Sequence, residues 1–245
     1  MSRLAQAPFV GRLARALGEA LRDLARVGSK ICVVTPTEQH QWFVRSGKLM
    51  STAARIGAKI HLPEKLTLPT NRPILMAGNH RSMLDLAVTM AIFSKFGISS
   101  RILVREDLVT NGVGGKYLRS IGCIATSKDR KDQSEAEAIA ALQQGHLVSM
   151  MPEGRLVKPE DWVDGVGPGR QGVSRIALAS DAVIVPVGFV NTEKVWPRAR
   201  PPKLQFPRPD VHLRVGPSFE LESTDHQVNA DKVMAAIADL VMDKA

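Results

Sequence analysis

A histidine and an aspartate five residues apart are the strongest candidates for chemistry in this 245-residue sequence. They are His80 and Asp85, in the segment 79–85 (NHRSMLD). Histidine can act as a general base near neutral pH. A neighbouring aspartate can accept the other ring N–H, fix the tautomer and stabilise the imidazolium. We therefore predict that His80 is a catalytic base and that Asp85 orients it.

This pairing requires a particular local structure. On a regular helix, side chains five residues apart point away from each other, so His80 must precede a helix and Asp85 must lie in its first turn. The sequence predicts that arrangement, because an apolar strand at 73–78 is followed by a helix at 83–96. The alternative is a histidine that caps the helix and an aspartate that only favours its N-terminus. For an isolated pair, that alternative would be the better interpretation.

Further segments lie downstream, each at the edge of a predicted strand. They are Gly122–Lys128, Pro152–Arg155, Arg170–Gly172 and Val183–Pro186. Active sites in open α/β sheets gather beyond the carboxyl ends of strands, so these segments are candidates for a shared site.

In this order, the segments resemble the four-block pattern of the glycerolipid acyltransferases, best known from the lysophosphatidic acid (1-acylglycerol-3-phosphate) acyltransferases. The first block, N-H-x-x-x-x-D, matches at Asn79, His80 and Asp85. The second block, a glycine followed by a strand and a basic residue, is similar to the stretch from Gly122 to Lys128. The resemblance covers roughly residues 73–188, about half of the chain.

The later blocks extend the resemblance. The third, P-E-G-T-R, is similar to Pro152-Glu153-Gly154-Arg155, and the family's K-x-G has a counterpart in Arg170 and Gly172. The fourth, an apolar run that ends in proline, matches the stretch that ends at Pro186.

The resemblance implies acyl transfer to a hydroxyl of a lyso-phospholipid such as lysophosphatidate. It implies an acyl-thioester donor, coenzyme A or acyl carrier protein, as co-substrate, with no metal and no other cofactor. By the same implication, Glu153, Gly154, Arg155 and Lys128 serve the acceptor. A guanidinium matches phosphate oxygens well, although Arg155 could also form only a surface salt bridge, and Glu153 could be a structural carboxylate.

Two departures from the family pattern concern the acceptor blocks. The third block lacks its threonine, so Gly154 runs directly into Arg155, and the second has Lys128 where the family usually has arginine. These changes favour, as an alternative, an acyltransferase for a different lipid or glycolipid acceptor. A further alternative is a basic membrane-binding protein without catalysis.

Strands and helices alternate from about residue 58 onward, which predicts an α/β fold with a largely parallel or mixed sheet flanked by helices. An N-terminal helical pair precedes it, so we expect a helical segment at 1–57 and an acyltransferase domain at 58–245. The second helix of the pair is predicted at 38–56. Ser134 and Glu137 predict a capping box that opens a later helix. The proline-rich stretch 196–210 predicts an extended loop.

The first helix is predicted to be amphipathic, with Phe9 and four leucines opposite four arginines (Phe9, Leu13, Leu17, Leu21 and Leu24; Arg12, Arg15, Arg22 and Arg26). That composition suits an interfacial helix, although the stripe could equally pack on its own domain. The net charge of +9 favours an anionic partner. Because only 4% of residues are aromatic, we expect a membrane surface and no nucleic acid.

The expected location is the cytoplasm, with the protein peripheral on the inner face of the membrane. No apolar run approaches the roughly 18 residues of a membrane span. The two cysteines, Cys32 and Cys123, have neither metal-ligand nor disulfide spacing, which favours a reduced compartment and no metal site.

Overall fold

The computed structural model describes residues 36–110 and 112–243. Within these ranges, seven strands form one sheet: β1 (Lys59–His61), β2 (Ile74–Gly78), β3 (Ser100–Arg105), β4 (Ile124–Thr126), β5 (Leu147–Met150), β6 (Val183–Val190) and β7 (Asp210–Val215). Their order is β1-β7-β6-β2-β5-β3-β4. All neighbours are parallel except β6 and β7. This mixed sheet confirms the predicted fold class.

Helices cover both faces of the sheet. They are α1 (Pro36–Gly57), α2 (Leu84–Phe96), α3 (Glu106–Thr110), α4 (Gly112–Ser120), α5 (Lys131–Gln143), α6 (Gly172–Ser180), α7 (Thr192–Val195) and α8 (His226–Met242), with a 3-10 turn at Pro159–Asp161. None of these described helices is long and apolar enough to cross a bilayer.

The two faces carry separate hydrophobic cores because side chains alternate along each strand. On β2, Met76 packs with α1 and α2, whereas its neighbours Leu75 and Ala77 pack with α5, α6 and α8. In the first core, Phe43 of α1 lies edge-on to Phe93 of α2, with ring centroids 6.0 Å apart. Residues 36–57 therefore share a core with the sheet, and the boundary at residue 57 stays a prediction.

Strand order explains where a site can form. Strand β2 lies between β6 and β5, and Ala77 is in register with Met150 near the ends of β2 and β5. The segments that follow these two strands therefore emerge side by side. Those segments hold His80 and Glu153.

The predicted second helix is confirmed, and it runs from Pro36 to Gly57. The predicted first helix, Phe9–Leu24, lies outside the described residues. Strand β6 contains the apolar run 183–186, and Gly97 closes α2 in the left-handed conformation (φ 66°), at the end of the helix predicted at 83–96.

The predicted capping box is wrong. Helix α5 begins at Lys131, so Ser134 lies inside it and donates its hydroxyl to the Lys131 carbonyl at 2.9 Å. Glu137 accepts from the guanidinium of Arg130 at 3.3 Å. A serine hydroxyl can bond within a helix as readily as at its start, so the spacing alone misplaced the N-terminus. Strand β1 and helices α3, α4 and α7 were not predicted.

Candidate active site

The exit from β2 is held by a buried amide. The Asn79 side chain donates to the Phe189 carbonyl at 3.0 Å and accepts from the Phe189 N–H at 2.7 Å. It therefore completes the ladder between β2 and β6 where the β2 backbone turns away. An asparagine suits this position because one side chain supplies both a donor and an acceptor.

The histidine and the aspartate meet as the spacing requires. Asp85 is the second residue of α2, and its Oδ2 lies 2.9 Å from Nδ1 of His80. The same oxygen accepts the backbone N–H groups of Arg81 and Ser82, each at 2.8 Å. Asp85 is fully buried, whereas the His80 side chain is 23% exposed. The pair thus places a proton on Nδ1 and leaves Nε2 as the ring nitrogen that can accept one.

Ser82 fixes the turn between His80 and Asp85. Its hydroxyl accepts the Leu84 N–H at 3.0 Å and donates to the Trp196 carbonyl at 2.7 Å. The turn is therefore tied both to the start of α2 and to the loop that follows α7.

Glu153 lies beside this pair. It is 2% exposed, and its Oε1 accepts the Gly167 N–H at 3.1 Å. Burial raises the pKa of Glu153 to about 7, although the backbone N–H groups of Gly167 and His80 oppose that rise. The charge of His80 also lowers this pKa, and that of Asp85 raises it. At neutral pH the carboxyl is therefore close to half protonated, which is unusual for a glutamate.

Arg81 connects the site to the loop at 156–169. Its guanidinium donates to the Gly165 carbonyl through Nη2 at 2.6 Å and through Nε at 3.2 Å. It also lies over the Trp162 ring, 4.4 Å from the centroid, and 3.6 Å from the carboxylate of Glu193. Because Glu153 binds Gly167, the loop is anchored at two nearby points.

The remaining block residues divide by position. Arg155 and Lys128 are exposed, and neither forms a side-chain hydrogen bond or ion pair with another described residue. Arg155 follows β5, the strand next to β2. Lys128 follows β4, which lies three strand spacings, about 14 Å, from β2. Arg155 is therefore the cation nearer to His80.

Arg170 supports the third block. Its Nε donates to the Glu153 carbonyl at 3.1 Å, and its backbone N–H donates to the Pro152 carbonyl at 3.0 Å. Gly154 has a φ of 66°, and a side chain there would meet Arg170. Gly172, two residues after Arg170, is the first residue of α6.

Two block residues lie away from the His80–Asp85 pair. Gly122 precedes β4, so it lies at the amino-terminal edge of the sheet, opposite His80. Its φ is 83°, and a side chain there would collide with the guanidinium of Arg101. Pro186 lies inside β6, in register with Ala77. Proline has no N–H to donate. Position 186 lies between the Ile184–Phe219 bridge and the start of the β6–β7 ladder, so no backbone hydrogen bond is lost there.

An apolar pocket of about 470 Å³, counting the space at its mouth, lies between α2 and the sheet. Its walls include Met76, Leu86, Ile92, Phe93, Val187 and Phe189. The polar groups in these walls are already bonded. The Thr89 hydroxyl donates to the Asp85 carbonyl at 2.8 Å, and the Ser149 hydroxyl lies 2.7 Å from that of Ser100. The pocket thus offers an apolar surface beside the start of α2.

Among the described residues, no group of three or more His, Cys, Asp or Glu side chains is placed to hold a metal ion. The prediction that no cofactor is needed stays a prediction.

Sequence reasoning missed Arg81, Ser82, Trp162 and Glu193. Arg81 and Ser82 occupy variable positions of the first block, so the block assigns them no role. The tryptophan and glycines of the 156–169 loop were the available signal, but nothing in the sequence indicates what they contact.

Comparisons with known proteins bear on the family and the fold. Residues 59–190, more than half of the chain, match the sequence model of the family described as Acyltransferase. No curated protein matches the chain. Among solved structures, the fold is similar to the 1-acyl-sn-glycerophosphate (LPA) acyltransferase PlsC from Thermotoga maritima, with a TM-score of 0.67 and 15% identity. That likeness covers 96% of this chain and 92% of the other. At such low identity it shows the fold alone.

The raised pKa of Glu153 predicts a pH-dependent stability. The unfolded carboxyl has an ordinary pKa of 4.5 and the folded one about 7, so between these values the folded state binds more protons. Stability therefore falls as pH rises through this window, by up to about 3 kcal/mol. Glutamine does not ionise, so Glu153→Gln lacks this loss. The unfolding free energy of the variant minus that of wild type should therefore be larger at pH 8 than at pH 5.

Urea unfolding at the two pH values measures this difference. The exposed Glu64→Gln serves as a control and should show no such change. An equal offset of Glu153→Gln from wild type at both pH values would contradict the burial argument.

The two anchors of the 156–169 loop predict that Arg81 controls its local opening. Arg81→Lys keeps the charge but loses the forked contact with Gly165. We expect amide hydrogen exchange across 156–169 to become about tenfold faster, as for the loss of one charged hydrogen bond. Arg175→Lys, which breaks a forked pair with Glu135 on α5, is the matched control. Unchanged exchange across the loop in Arg81→Lys would show that the loop is held by other contacts.

Proposed function

Because the chain belongs to the acyltransferase family, we propose that it transfers a fatty acyl group from an acyl thioester to a hydroxyl of a lyso-phospholipid such as lysophosphatidate. The donor carrier is coenzyme A or acyl carrier protein. The observation that carries the proposal is the bonded pair of His80 and Asp85 near an apolar pocket, with no hydrogen bond to Nε2 from any described residue.

In the proposed reaction, Nε2 of His80 takes the proton of the acceptor hydroxyl as the oxygen attacks the thioester carbonyl carbon. Asp85 stabilises the imidazolium that forms. When the tetrahedral intermediate collapses, the carbon–sulfur bond breaks and the imidazolium returns the proton to the departing thiolate. The products are the acylated lipid and a free thiol, so the reaction needs no oxidant, reductant or metal.

The apolar pocket suits the acyl chain of the donor. Leu86 follows Asp85 on α2 and lines the pocket, so a chain that enters there places its carbonyl end near His80. The hydroxyls of Thr89 and Ser149 in the walls already have hydrogen-bond partners, so a hydrocarbon that enters leaves neither of them unpaired. Each buried methylene contributes roughly 0.8 kcal/mol.

Arg155 is the best candidate for a phosphate of the acceptor. It is exposed, has no partner among the described residues, and follows the strand next to the one that precedes His80. Lys128 is farther along the sheet and suits a second, more distant anionic contact. The missing threonine before Arg155 supports the alternative of a different lipid or glycolipid acceptor.

Both substrates of such a reaction include lipid chains, so we propose that the protein works at the cytoplasmic face of a membrane, as a peripheral protein. An anionic surface suits the net charge of +9.

His80→Ala should abolish turnover. Wild type with lysophosphatidate and a long-chain acyl thioester should release free thiol. His80→Ala should be slower by about 10² to 10⁴, because the general base is lost. Asp85→Asn should also be severely impaired, because an amide holds the ring without stabilising its charge. The folded state of each variant is checked by circular dichroism. Near-normal thiol release by a folded His80→Ala protein would refute the mechanism, whichever acceptor is used.

Arg155→Ala should raise the acceptor KM far more than the donor KM. Loss of a charge-assisted contact to phosphate costs about 1.5–3 kcal/mol, or roughly 10- to 100-fold. Steady-state kinetics with each substrate varied in turn measures both constants. Lys131→Ala, which removes an exposed cation from α5, should change neither. If the acceptor KM hardly moves in Arg155→Ala, the acceptor carries no phosphate at this position, and the alternative acceptor is favoured.

A further inference from the structure

The loop at 196–209 carries the two most exposed large apolar side chains among the described residues. Phe206 is 97% exposed and Leu204 is 81% exposed. Exposed apolar residues that occur singly are ordinary, but a phenylalanine and a leucine two positions apart on one loop form a protruding apolar tip. Such a tip costs free energy in water unless something covers it.

The charge of the same loop is entirely positive. Between Trp196 and Pro209 the sequence has no acidic residue and four basic ones (Arg198, Arg200, Lys203 and Arg208). All four are exposed. An apolar tip surrounded by cations matches a surface with a negative outer layer and an apolar layer beneath it.

Backbone contacts hold the loop in place. The Lys203 N–H donates to the Val195 carbonyl at 2.7 Å, and the Gln205 amide donates to the Lys194 carbonyl at 2.7 Å. Arg208 donates to the Arg55 carbonyl at the end of α1 at 2.6 Å. The segment is therefore pinned on both sides of the tip. A pinned tip loses little conformational entropy when it binds a surface.

The loop begins at the candidate active site. The Trp196 carbonyl accepts the Ser82 hydroxyl in the turn between His80 and Asp85. Just before it, Glu193 of α7 lies 3.6 Å from the guanidinium of Arg81. The loop therefore starts beside the turn that holds His80, and its tip lies near the end of α1.

From these observations we infer that the 196–209 loop docks the protein on an anionic phospholipid surface. Leu204 and Phe206 enter the boundary between headgroups and acyl chains, and the surrounding cations contact the headgroup phosphates. The inference rests on the proposed function in one respect: an enzyme that acts on lipids needs access to a lipid surface. Vesicle binding is measured without turnover, so either proposal can fail while the other stands.

The test uses the full-length protein and vesicles of phosphatidylcholine with one quarter phosphatidylglycerol. The double variant Leu204→Ser with Phe206→Ser should bind them at least about tenfold more weakly, since two apolar side chains no longer leave water on binding. Arg198→Gln with Arg200→Gln should also bind more weakly, by about tenfold, and its binding should depend less on salt.

Matched controls change the same chemistry elsewhere. Val228→Ser removes a 55% exposed apolar side chain from α8, on the other face of the sheet. Lys116→Gln with Lys131→Gln removes two exposed cations from α4 and α5. Both controls should bind vesicles within about twofold of wild type.

Vesicle binding of the Leu204/Phe206 double variant at the wild-type level would overturn the inference and assign docking to another part of the chain. Sedimentation velocity covers the case of a second copy. If wild type is a dimer, and the double variant is a monomer that binds vesicles normally, the loop is an interface between copies and the inference is wrong. Equal weakening by the controls would also overturn it, because binding would then follow general charge and hydrophobicity.

Discussion

The Asp85 carboxylate is fully buried, and a buried charge without partners costs on the order of several kcal/mol. Its Oδ2 therefore needs three donors at once: the His80 ring and the N–H groups of Arg81 and Ser82. Those two N–H groups converge only if the backbone turns sharply between β2 and α2. The turn in turn requires Asn79 to hold the end of β2 against Phe189 and Ser82 to hold the start of α2. The geometry of the turn thus follows from the need to satisfy one carboxylate oxygen, Oδ2, whereas the buried Oδ1 has no hydrogen-bond partner among the described residues.

Arg81 and Ser82, at the variable positions of the first block, connect this turn to two neighbouring loops. Arg81 uses its backbone N–H on Asp85 and its guanidinium on the Gly165 carbonyl, while Ser82 uses its N–H on Asp85 and its hydroxyl on the Trp196 carbonyl. A displacement of the turn would therefore move both flanking loops. Glu153 connects the loop to the pair. It binds the 156–169 loop, and it lies close enough to His80 and Asp85 for their charges to shift its pKa. The positions of the two loops are therefore coupled to the geometry of the His80–Asp85 pair through Arg81 and Ser82, which are adjacent in sequence.

Sequence reasoning reached the sheet, most helices and the meeting of His80 with Asp85, because these depend on local pattern. Apolar runs that end in glycine locate strands, and a five-residue spacing across a strand-to-helix turn allows one solution. It failed where tertiary contacts decide. Helices α3 and α7 span five and four residues, too short for a periodic pattern. Strand β1 has three residues and is defined by pairing with β7. The partners of Arg81 lie 84 and 112 positions away, and no local pattern predicts such contacts.

The site has an apolar side and a solvent-exposed side. The pocket between α2 and the sheet is apolar, and its Thr89 and Ser149 hydroxyls already have hydrogen-bond partners, so it suits the acyl chain of the proposed donor. Arg155 and Lys128, by contrast, stand in solvent at the carboxyl edge of the sheet. His80 is 23% exposed, on a backbone segment held by the buried Asp85 carboxylate. In the proposed reaction, the acceptor oxygen approaches from the exposed side and the thioester carbonyl from the apolar side, and the two react beside Nε2 of His80. A less exposed His80 could not reach an acceptor hydroxyl, and a more exposed one would admit water, which competes with that hydroxyl for the thioester.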